Sequence, residues 1–525
     1  MSTRSDSLEE CKDQDIPEKI TVDSEVDLTA YYERNAGRLV VDPDEARVEF
    51  GEQVACRLKL TKDGTRVLWP QPSDDPEDPQ NWSDFRKGIQ LLIITLAAIV
   101  PDFDSGIGTA SIFALARQFN TTSGVINNLT NKEVLTKPFR LGWHPRCRSD
   151  ETIWTASGVV LDTAMRCLTG FFGTAPQVTG LYVVSDIYPF HLQARKLNIW
   201  TMGFIISPFL SPFAFGFMVA RANWRWTYGI GSIYGLIVLL LIAFLGEETM
   251  YDRSLPDPKP IPMPASRLRQ RFETLIGVTG ARMAKYRSGW KEVNSIWFKL
   301  IWRPHLFGIL LFEAMLFGFS VGLNGTNIVF LEEQPPNGYG FTQFAIAGCY
   351  GTPVVAVLIG ELLGRYLNDW IMNVCIRRNN GVFESESRLW ACYVAVVLYI
   401  IGFILIGAAF QDHLNISCFI IGWGLVEIAT MVNTVAVYAY VNDSFPRLQG
   451  EISALLDLGR TLGGFSVAYF QVPWATKNGA IQTFGVEAAI VAGLFLLVVP
   501  TLQIKGSYLR VECKSVTKWG ENRAK

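Results

Sequence analysis

The chain of 525 residues is 49% hydrophobic, only 18% of its residues are charged, and its mean hydropathy is +0.21. A typical soluble domain carries about 25% charged residues. The charges here crowd into the N-terminal segment, the segment near 250–305 and short connections, which excludes a string of soluble domains. The net charge of −2, without a basic stripe that interleaves aromatic residues, excludes a nucleic-acid partner.

A polar segment precedes the first apolar stretch. Residues 1–87 are acidic, partly proline-rich and poorly periodic, and they contain no apolar run that resembles a secretory signal. A segment of this composition buries too little apolar surface to offset the entropy of ordering its backbone. We therefore expect a disordered tail over 1–87, and we expect the first membrane span to direct insertion.

Ten apolar stretches follow the tail, and each is long enough to cross a bilayer. A helix needs about 20 residues to cross a hydrocarbon core about 30 Å thick. The predicted spans lie near residues 88–107, 165–187, 197–219, 226–245, 306–331, 343–363, 389–410, 416–440, 454–474 and 481–503. The predicted divisions are an N-terminal helical bundle (88–245), a charged central loop (246–305), a six-helix C-terminal bundle (306–505) and a second tail (506–525).

The distribution of lysine and arginine orients these spans. Basic residues concentrate in the segments 188–196, 246–305 and 364–388, which fall on one side of the membrane if the spans alternate. Cytoplasmic loops carry such an excess, so we expect a multi-pass membrane protein with both termini in the cytoplasm. The exceptions on the outer side are Arg221 and Arg225. Asn415 then lies outside the cell and is a candidate for glycosylation.

No catalytic or metal-binding pattern accompanies the spans. The four histidines are isolated, the nine cysteines are scattered without a CxxC pair, and no GxSxG, HExxH or Walker-type loop occurs. Intramembrane catalysis needs a nucleophile, a base or a metal cluster. We therefore expect no enzymatic activity, no catalytic residue, no metal site and no cofactor.

Six strings occur in an order that is typical of one protein family. They are DPQNWS (78–83), PDFDSGIG (101–108), MRCLTGFFGTAPQVTGL (165–181), WRWTYGI (224–230), GEETMYDR (246–253) and GELLGRYLNDW (360–370). Over about residues 68–505, the chain resembles fungal transporters of the major facilitator superfamily, in the branch of drug and metabolite proton antiporters.

This resemblance implies both a fold and a function. The implied fold is all-α, with two bundles of six helices around a central cavity and a long cytoplasmic segment between them, here 246–305. The implied function is secondary active transport, with proton-coupled efflux of a small organic molecule, a drug or secondary metabolite, as the first expectation. The partners are then a small-molecule substrate, protons and the lipid bilayer, and we expect a monomer in the plasma membrane.

One stretch departs from the family pattern. The family places its second and third spans between 116 and 166, where this chain is highly charged. Each charge at the centre of a spanning helix costs about 2.5–3.5 kcal/mol. We therefore interpret 117–164 as atypical and the first bundle as lacking two of its six spans. A lost exon, a mis-called intron or a decayed gene explains such a loss.

Charged residues inside spans are costly, so they are functional candidates. Asp102 and Asp104 lie at the end of the first span, whereas Glu313 and Glu427 lie deeper in theirs. A carboxyl near a fixed cation exchanges a proton as its surroundings change, which makes all four candidates for proton coupling. Simple hydration of the aspartates and helix–helix hydrogen bonds of the glutamates are the alternatives, and either glutamate could instead bind a cationic substrate. In the resembled family an arginine on the fourth span is implicated in proton coupling, and Arg166 matches it.

Two further motifs are interpreted through the resemblance. Gly203, Pro208 and Pro212 stand where the family's antiporters carry a Gly-Pro-rich motif that marks exporters, although serines replace two of its usual glycines. Gly360 and Arg365 match the family's repeated cytoplasmic loop. The resemblance gives these residues gating or packing roles, and Arg365 could equally be an anchor at the cytoplasmic surface.

Four amide side chains in or near the spans are candidates for lining a substrate cavity: Gln177, Asn324, Asn327 and Asn433. Amides placed in an apolar pocket fix the orientation of a ligand through hydrogen bonds. Hydrogen bonds between helices are the alternative role for each of them. Two alternatives for the whole chain also stay open, an importer of a small organic nutrient and a truncated, non-transporting relic or sensor.

Overall fold

The computed structural model describes residues 39–111, 175–251 and 290–512, except for positions 62, 77, 250, 336, 337 and 446–448, and it also describes six positions between 269 and 278. The helices are α1 (Pro43–Phe50), α2 (Glu52–Ala55), α3 (Asp84–Ala110), α4 (Ala175–Ile187), α5 (Phe190–Val219), α6 (Arg225–Leu245), α7 (Trp290–Ile301), α8 (Pro304–Glu332), α9 (Gln343–Cys349), α10 (Gly351–Arg378), α11 (Trp390–Gln411), α12 (Ile416–Ser444), α13 (Gln449–Asn478) and α14 (Ala480–Glu512). Two short strands, β1 (Leu39–Val40) and β2 (Val382–Phe383), form an antiparallel pair.

Eight helical segments of the described residues are long and apolar enough to cross a membrane. They are α3, α5, α6, α8, α9 together with α10, α11 with the turn before it, α12 and α14, and each coincides with a predicted span. Of the other two predicted spans, 165–187 is described only from Ala175 onward, as α4, and 454–474 lies within the more polar α13. The atypical stretch 117–164 lies outside the described residues, and with it the expected loss of two spans.

Polar caps and proline set where several of these helices begin. The hydroxyl of Ser83 accepts a hydrogen bond from the backbone N–H of Arg86 at the start of α3, and Pro304 is the first residue of α8. Both residue types favour a helix start, because the hydroxyl satisfies a free N–H and proline has no N–H to satisfy. These starts fix how deep in its helix each charged residue of α3 and α8 lies.

Small residues bring α8 and α13 into backbone contact. A Cβ atom added at Gly318 of α8 would lie 2.6 Å from the carbonyl carbon of Gly463 in α13. Two other glycines make similarly close contacts. An added Cβ would lie 2.9 Å from Met431 of α12 at Gly360 of α10, and 2.6 Å from Ile107 of α3 at Gly231 of α6. Such close approach provides van der Waals contact. This contact holds helices together inside a membrane, where the hydrophobic effect does not drive them to associate.

Helix α5 connects the helices that precede the central loop with those that follow it. Gly203 of α5 packs on Thr95 of α3, and the hydroxyl of Ser207 donates to the carbonyl of Ile99 in α3. On another face, the amide of Asn198 donates to the backbone carbonyl of Glu361 in α10 at 2.8 Å. Because one helix contacts both groups, helices from both sides of the central loop contribute to one continuous apolar core.

The N-terminal segment differs from the expected disordered tail. Residues 39–82, which we call the clasp, are folded against the ends of α5 and α10. Strand β1 pairs with β2, and the buried side chain of Trp69 donates from Nε1 to the carbonyl of Val40 at 2.9 Å. The physical reason is that apolar residues scattered among the charges bury together with Phe383 and Met372, which lie more than 300 residues away in the chain. Residues 1–38 lie outside the described part.

Two of the strings that carry the family resemblance meet in space. Asp78 of DPQNWS is fully buried, and its carboxylate accepts hydrogen bonds from Ser73 and from the N–H of Gln80. Glu247 of GEETMYDR pairs with Arg86, and the hydroxyl of Tyr251 lies 3.0 Å from that of Ser73. The order and spacing of these strings therefore reflect a contact between the start of α3 and the end of α6.

Candidate functional site

A buried arginine on α13, Arg460, lies among buried polar, charged and aromatic side chains. One guanidinium nitrogen of Arg460, Nη1, lies 3.1 Å from Oδ1 of Asp457 and 3.1 Å from the hydroxyl oxygen of Tyr438. The same hydroxyl donates to Asp457 at 2.8 Å. The guanidinium also lies over the rings of Phe317 and Phe204, 3.9 and 4.4 Å from their centroids. Aromatic faces and a carboxylate together stabilise a cation that has lost its water.

Two further carboxyls interact electrostatically with this arginine. Glu313 of α8 is fully buried and accepts hydrogen bonds from Asn433 at 2.8 Å and Thr434 at 2.7 Å. Asp102 of α3 accepts from Gln177 of α4 at 2.7 Å. Both carboxyls lie within electrostatic range of Arg460. We call Asp102, Glu313, Tyr438, Asp457 and Arg460 the Arg460 centre.

The two aspartates of the first span face different neighbours. Asp102 contacts α4, whereas the carboxylate of Asp104 lies beside Gly231 of α6, where an added Cβ would be 3.1 Å from Oδ1. Residues two apart on a helix point about 200° apart, which separates them. The structure therefore places Asp102, but not Asp104, in the Arg460 centre.

Glu427 lies in a separate polar site, which we call the Glu427 site. Its Oε1 accepts hydrogen bonds from Ser320 of α8 at 3.0 Å and from the indole N–H of Trp423 at 3.3 Å. Asn324 and Asn327 follow Ser320 on the same face of α8, because positions i, i+4 and i+7 share a helix face. The amide of Asn324 donates to the carbonyl of Pro208 in α5 at 3.5 Å, which places the site beside the boundary between α5 and α8.

The four amide residues expected to line a cavity divide between the two sites. Gln177 and Asn433 hold carboxyls of the Arg460 centre, so both bond to side chains from other helices. Asn324 keeps one buried amide oxygen, and Asn327 both amide atoms, without a hydrogen-bond partner among the described residues. Asn433 also keeps its Oδ1 without a partner among the described residues, so of the four candidates only Gln177 has no unsatisfied buried amide atom.

The motif residues lie at contacts between helices. Pro208 and Pro212 of α5 pack on Gly106 of α3, where an added Cβ would lie 3.2 Å from the carbonyl of Pro208 and 3.1 Å from Pro212. Gly360 packs on α12. Arg365 is half-buried and forms no hydrogen bond or ion pair with the described residues. These positions are compatible with packing roles, and a gating role for Arg365 stays a prediction.

One predicted residue lies apart from both sites, and another lies outside the described residues. Asn415 is exposed and caps α12, since its Oδ1 accepts from the backbone N–H of Ser417 at 3.1 Å, and its glycosylation stays a prediction. Arg166 lies outside the described residues.

Sequence reasoning missed the arginine at the centre. Asp457 and Arg460 lie in the string LLDLGRTLGG, inside a predicted span, and the rule that charges within spans are functional candidates applies to them as well. It also missed Glu487 of α14, which accepts from Gln471 at 2.8 Å. The signal was present in each case, because each charge lies between apolar residues.

Sequence comparison decides which family the chain belongs to. A profile described as Major Facilitator Superfamily matches residues 153–468, more than half of the chain. The chain belongs to the Major Facilitator Superfamily. The predicted family and the predicted all-α, polytopic fold are thereby confirmed, and the protein is an integral, multi-pass membrane transporter.

Relatives of this transporter carry names that agree with this assignment. An uncharacterised MFS-type transporter of Schizosaccharomyces pombe is 23% identical, covering 86% of this chain and 89% of its own. The efflux pump radE of Floropilus chiversii is 19% identical, covering 93% and 92%. Among solved structures, the proton:xylose symporter XylE aligns with a TM-score of 0.51 at 13% identity, covering 80% of this chain and 96% of its own. The last match supports the fold alone.

Proposed function

We propose that this transporter is a proton-coupled exporter of a small organic molecule. It acts as a monomer in the plasma membrane, with both termini in the cytoplasm and two bundles, 88–245 and 306–505, that move against each other. The observation that carries the proposal is the Arg460 centre, because it joins Asp102 of α3 with Arg460 of α13 and Glu313 of α8. An electrostatic interaction between the two bundles would link protonation to movement.

The proposed coupling follows from the attraction between opposite charges in a dry interior. When Asp102 is ionised, its attraction to Arg460 crosses between the bundles and favours the arrangement in which they are close at this point. A proton on Asp102 removes this attraction, so arrangements that separate the bundles become relatively more favourable. Glu313 lies in the same bundle as Arg460, so its charge instead sets how strongly Arg460 is compensated within that bundle. A proton that binds on one side and leaves on the other thereby drives the exchange of substrate.

The direction of transport is inferred from two observations. Relatives of full length include one named as an efflux pump. Gly203, Pro208 and Pro212 of α5 match the motif that marks exporters in the resembled family, and all three pack against α3, the helix that carries Asp102. A motif beside the proposed proton site is well placed to influence which way the exchange runs.

The test is an export assay in a yeast strain that lacks its own major drug exporters. Cells that produce the transporter are loaded with a panel of fluorescent organic compounds, and retention is measured with and without a protonophore. We expect retention of at least one compound to fall several-fold, and the protonophore to abolish the effect. Asp102→Asn should also abolish it, whereas Asp84→Asn, an exposed change on the same helix, should not.

The other outcomes separate the competing functions. A transporter that raises the uptake of a compound is an importer, which contradicts the direction. Normal surface expression without any change in retention supports the non-transporting relic or sensor. Export that persists in Asp102→Asn cells and in the presence of the protonophore contradicts proton coupling while leaving the transporter function intact.

A further inference from the structure

Helices α5 and α10 belong to different bundles, and polar side chains join them near one end. Arg195 of α5 pairs with Asp369 of α10, and the amide of Asn198 donates to the backbone carbonyl of Glu361 at 2.8 Å. In the proposed orientation this end faces the cytoplasm. An exporter loads its cargo from the cytoplasm, and alternating access moves one bundle against the other. The two helices therefore have to separate at this end in every cycle of export.

The clasp is attached to the C-terminal bundle at this end. Its strand β1 pairs with β2, in the connection that follows α10, and the backbone N–H of Val41 donates to the carbonyl of Gly381 at 3.4 Å. The side chain of Arg66 donates to that of Asn373 in α10 at 3.1 Å. The fully buried ring of Phe383 packs into the apolar cluster of the clasp. All of these contacts are noncovalent, so they can form and break.

The clasp is attached to the N-terminal bundle as well. The chain runs on from Trp69 into α3, and the backbone N–H of Phe190, the first residue of α5, donates to the carbonyl of Trp69 at 2.8 Å. The buried carboxylate of Asp78 accepts from the backbone N–H of Ser73 at 2.9 Å, and the hydroxyl of Ser73 lies 3.0 Å from that of Tyr251, beyond the end of α6. Movement of α3, α5 and α6 therefore carries this part of the clasp with it.

The connection after α10 is shaped to receive the clasp. Gly381 has a φ of +85°, and a Cβ atom added there would lie 2.8 Å from the Cβ of Asp42, which caps α1. Glycine alone readily combines this backbone conformation with such a close approach. In the same apolar cluster, the rings of Phe190 and Phe383, one from each bundle, meet edge to face with centroids 4.9 Å apart. The clasp therefore binds where the two bundles touch.

We infer that the clasp is a latch that holds the cytoplasmic side of the transporter closed. When that side opens, β1 and Arg66 leave the C-terminal bundle, because the rest of the clasp is covalently joined to α3. A lone pair of short strands is only marginally stable, so the latch releases without unfolding either bundle. The inference rests on the proposed transporter function and adds to it a step that precedes the loading of cargo.

The test measures the opening of this end without requiring transport. The full-length protein in lipid nanodiscs is transferred into deuterium oxide, and amide exchange is followed by mass spectrometry in residues 195–202 and 358–365. These two segments contact each other through Asn198 and Glu361, and neither contributes to the apolar cluster of the clasp. Their exchange therefore reports the separation of α5 from α10 and not the uncovering of the cluster itself.

Two matched substitutions release or spare the latch. Val40→Asp places a carboxylate in β1, where the valine is 1% exposed, and an unpaired charge is costly to bury. We expect amide exchange in both segments to become several-fold faster. Val48→Asp makes the same change in α1, where the valine is 80% exposed, and should exchange like the unsubstituted protein.

A disulfide that locks the latch tests the opposite direction. Val40 and Val382 are partners in the strand pair, and the Cα atoms of such partners lie about 4.5–5.5 Å apart, within the range that a disulfide spans. In oxidised Val40→Cys/Val382→Cys we expect exchange in both segments to become several-fold slower, and reduction to restore it. The matched control is Leu60→Cys/Val67→Cys, which joins two partners within the clasp itself and should exchange alike in both redox states.

Several outcomes would overturn the inference. Unchanged exchange in folded Val40→Asp does so, and so does equal exchange by the oxidised and reduced forms of Val40→Cys/Val382→Cys. The second comparison uses a single polypeptide, so it survives a Val40→Asp variant that fails to fold. Because the exchange measurement needs no cargo and no pH gradient, export without any latch response contradicts the latch alone. A latch response in a protein that moves no compound supports the latch and contradicts the proposed function.

Discussion

Arg388 and Asp443 form the most deeply buried ion pair among the described residues. Their side chains are 2% and 4% exposed, and Nε of Arg388 lies 3.0 Å from Oδ2 of Asp443. The guanidinium also lies over the rings of Phe190 and Phe383, 5.7 and 5.1 Å from their centroids. Two charges that are both out of water depend on each other, so the loss of one leaves the other uncompensated.

Asp443→Asn is therefore expected to destabilise the protein. The change leaves the charge of Arg388 buried and unpaired, which costs about 3–5 kcal/mol. Thermal unfolding of the purified protein in detergent measures the effect as a fall in midpoint temperature. The control is Asp74→Asn, because its side chain is 99% exposed and an exposed pair such as the one it forms with Lys59 contributes little to stability. Equal midpoints for the two variants would contradict the account.

At this scale the sequence predicts which residues matter better than it predicts their partners. Glu313 and Glu427 were identifiable because each is a lone charge in an apolar run. That Glu313 lies near Arg460 and Glu427 near aromatic rings depends on which helices pack together, and no local pattern encodes this. Gln177 shows the same limit, since its bond to Asp102 satisfies an amide that the sequence presents as free.

At the scale of elements, the clasp is the clearest departure from the predicted structure. It contacts Phe190 at the start of α5 and both Met372 and Ile376 at the end of α10. Further hydrogen bonds join the backbone N–H of Phe190 to Trp69 at 2.8 Å and the side chain of Arg66 to Asn373 at 3.1 Å. Its apolar residues bury against segments that are distant in the chain. Because the local composition does not reveal those partners, the sequence alone predicts disorder.

We expect Trp69→Ala to release the clasp. Replacing a buried tryptophan by alanine costs about 3–5 kcal/mol, and here it also removes the hydrogen bond to Val40. Limited trypsin digestion should then cleave near Lys59 faster, while the helical bundle stays intact. Val48→Ala, an exposed change in α1, should digest like the unsubstituted protein. Identical digestion of all three proteins would show that Trp69 does not hold the clasp.

The glycine pairs show which contacts between helices a sequence pattern can predict. Glycines four residues apart are typical of close helix contacts in membranes, and the spans hold four such pairs: Gly231/Gly235, Gly318/Gly322, Gly360/Gly364 and Gly459/Gly463. Gly318, Gly360 and Gly463 make such contacts. The spacing does not identify which member of a pair makes the contact, because Gly235 has no atom within 4 Å of an added Cβ. That choice depends on where the neighbouring helix crosses.

At the scale of the whole molecule, ten predicted spans and six ordered strings were enough to predict the superfamily and its all-α fold. The arrangement of charges across the bundles could not be predicted from the sequence, because Asp102 and Arg460 are separated by more than 350 residues. Their electrostatic interaction is the proposed link between a proton site on one bundle and a cation on the other. We therefore propose that movement of cargo and movement of protons are one exchange.

The most direct test measures both movements in the same vesicle. The purified transporter is placed in liposomes that contain a pH-sensitive dye and the compound most strongly exported in the yeast assay, and the vesicles are diluted into buffer without that compound. The account predicts that the lumen becomes acidic as the compound leaves, and that Asp102→Asn loses this acidification. Release of the compound with no change in luminal pH, or equal acidification by Asp102→Asn, would contradict it.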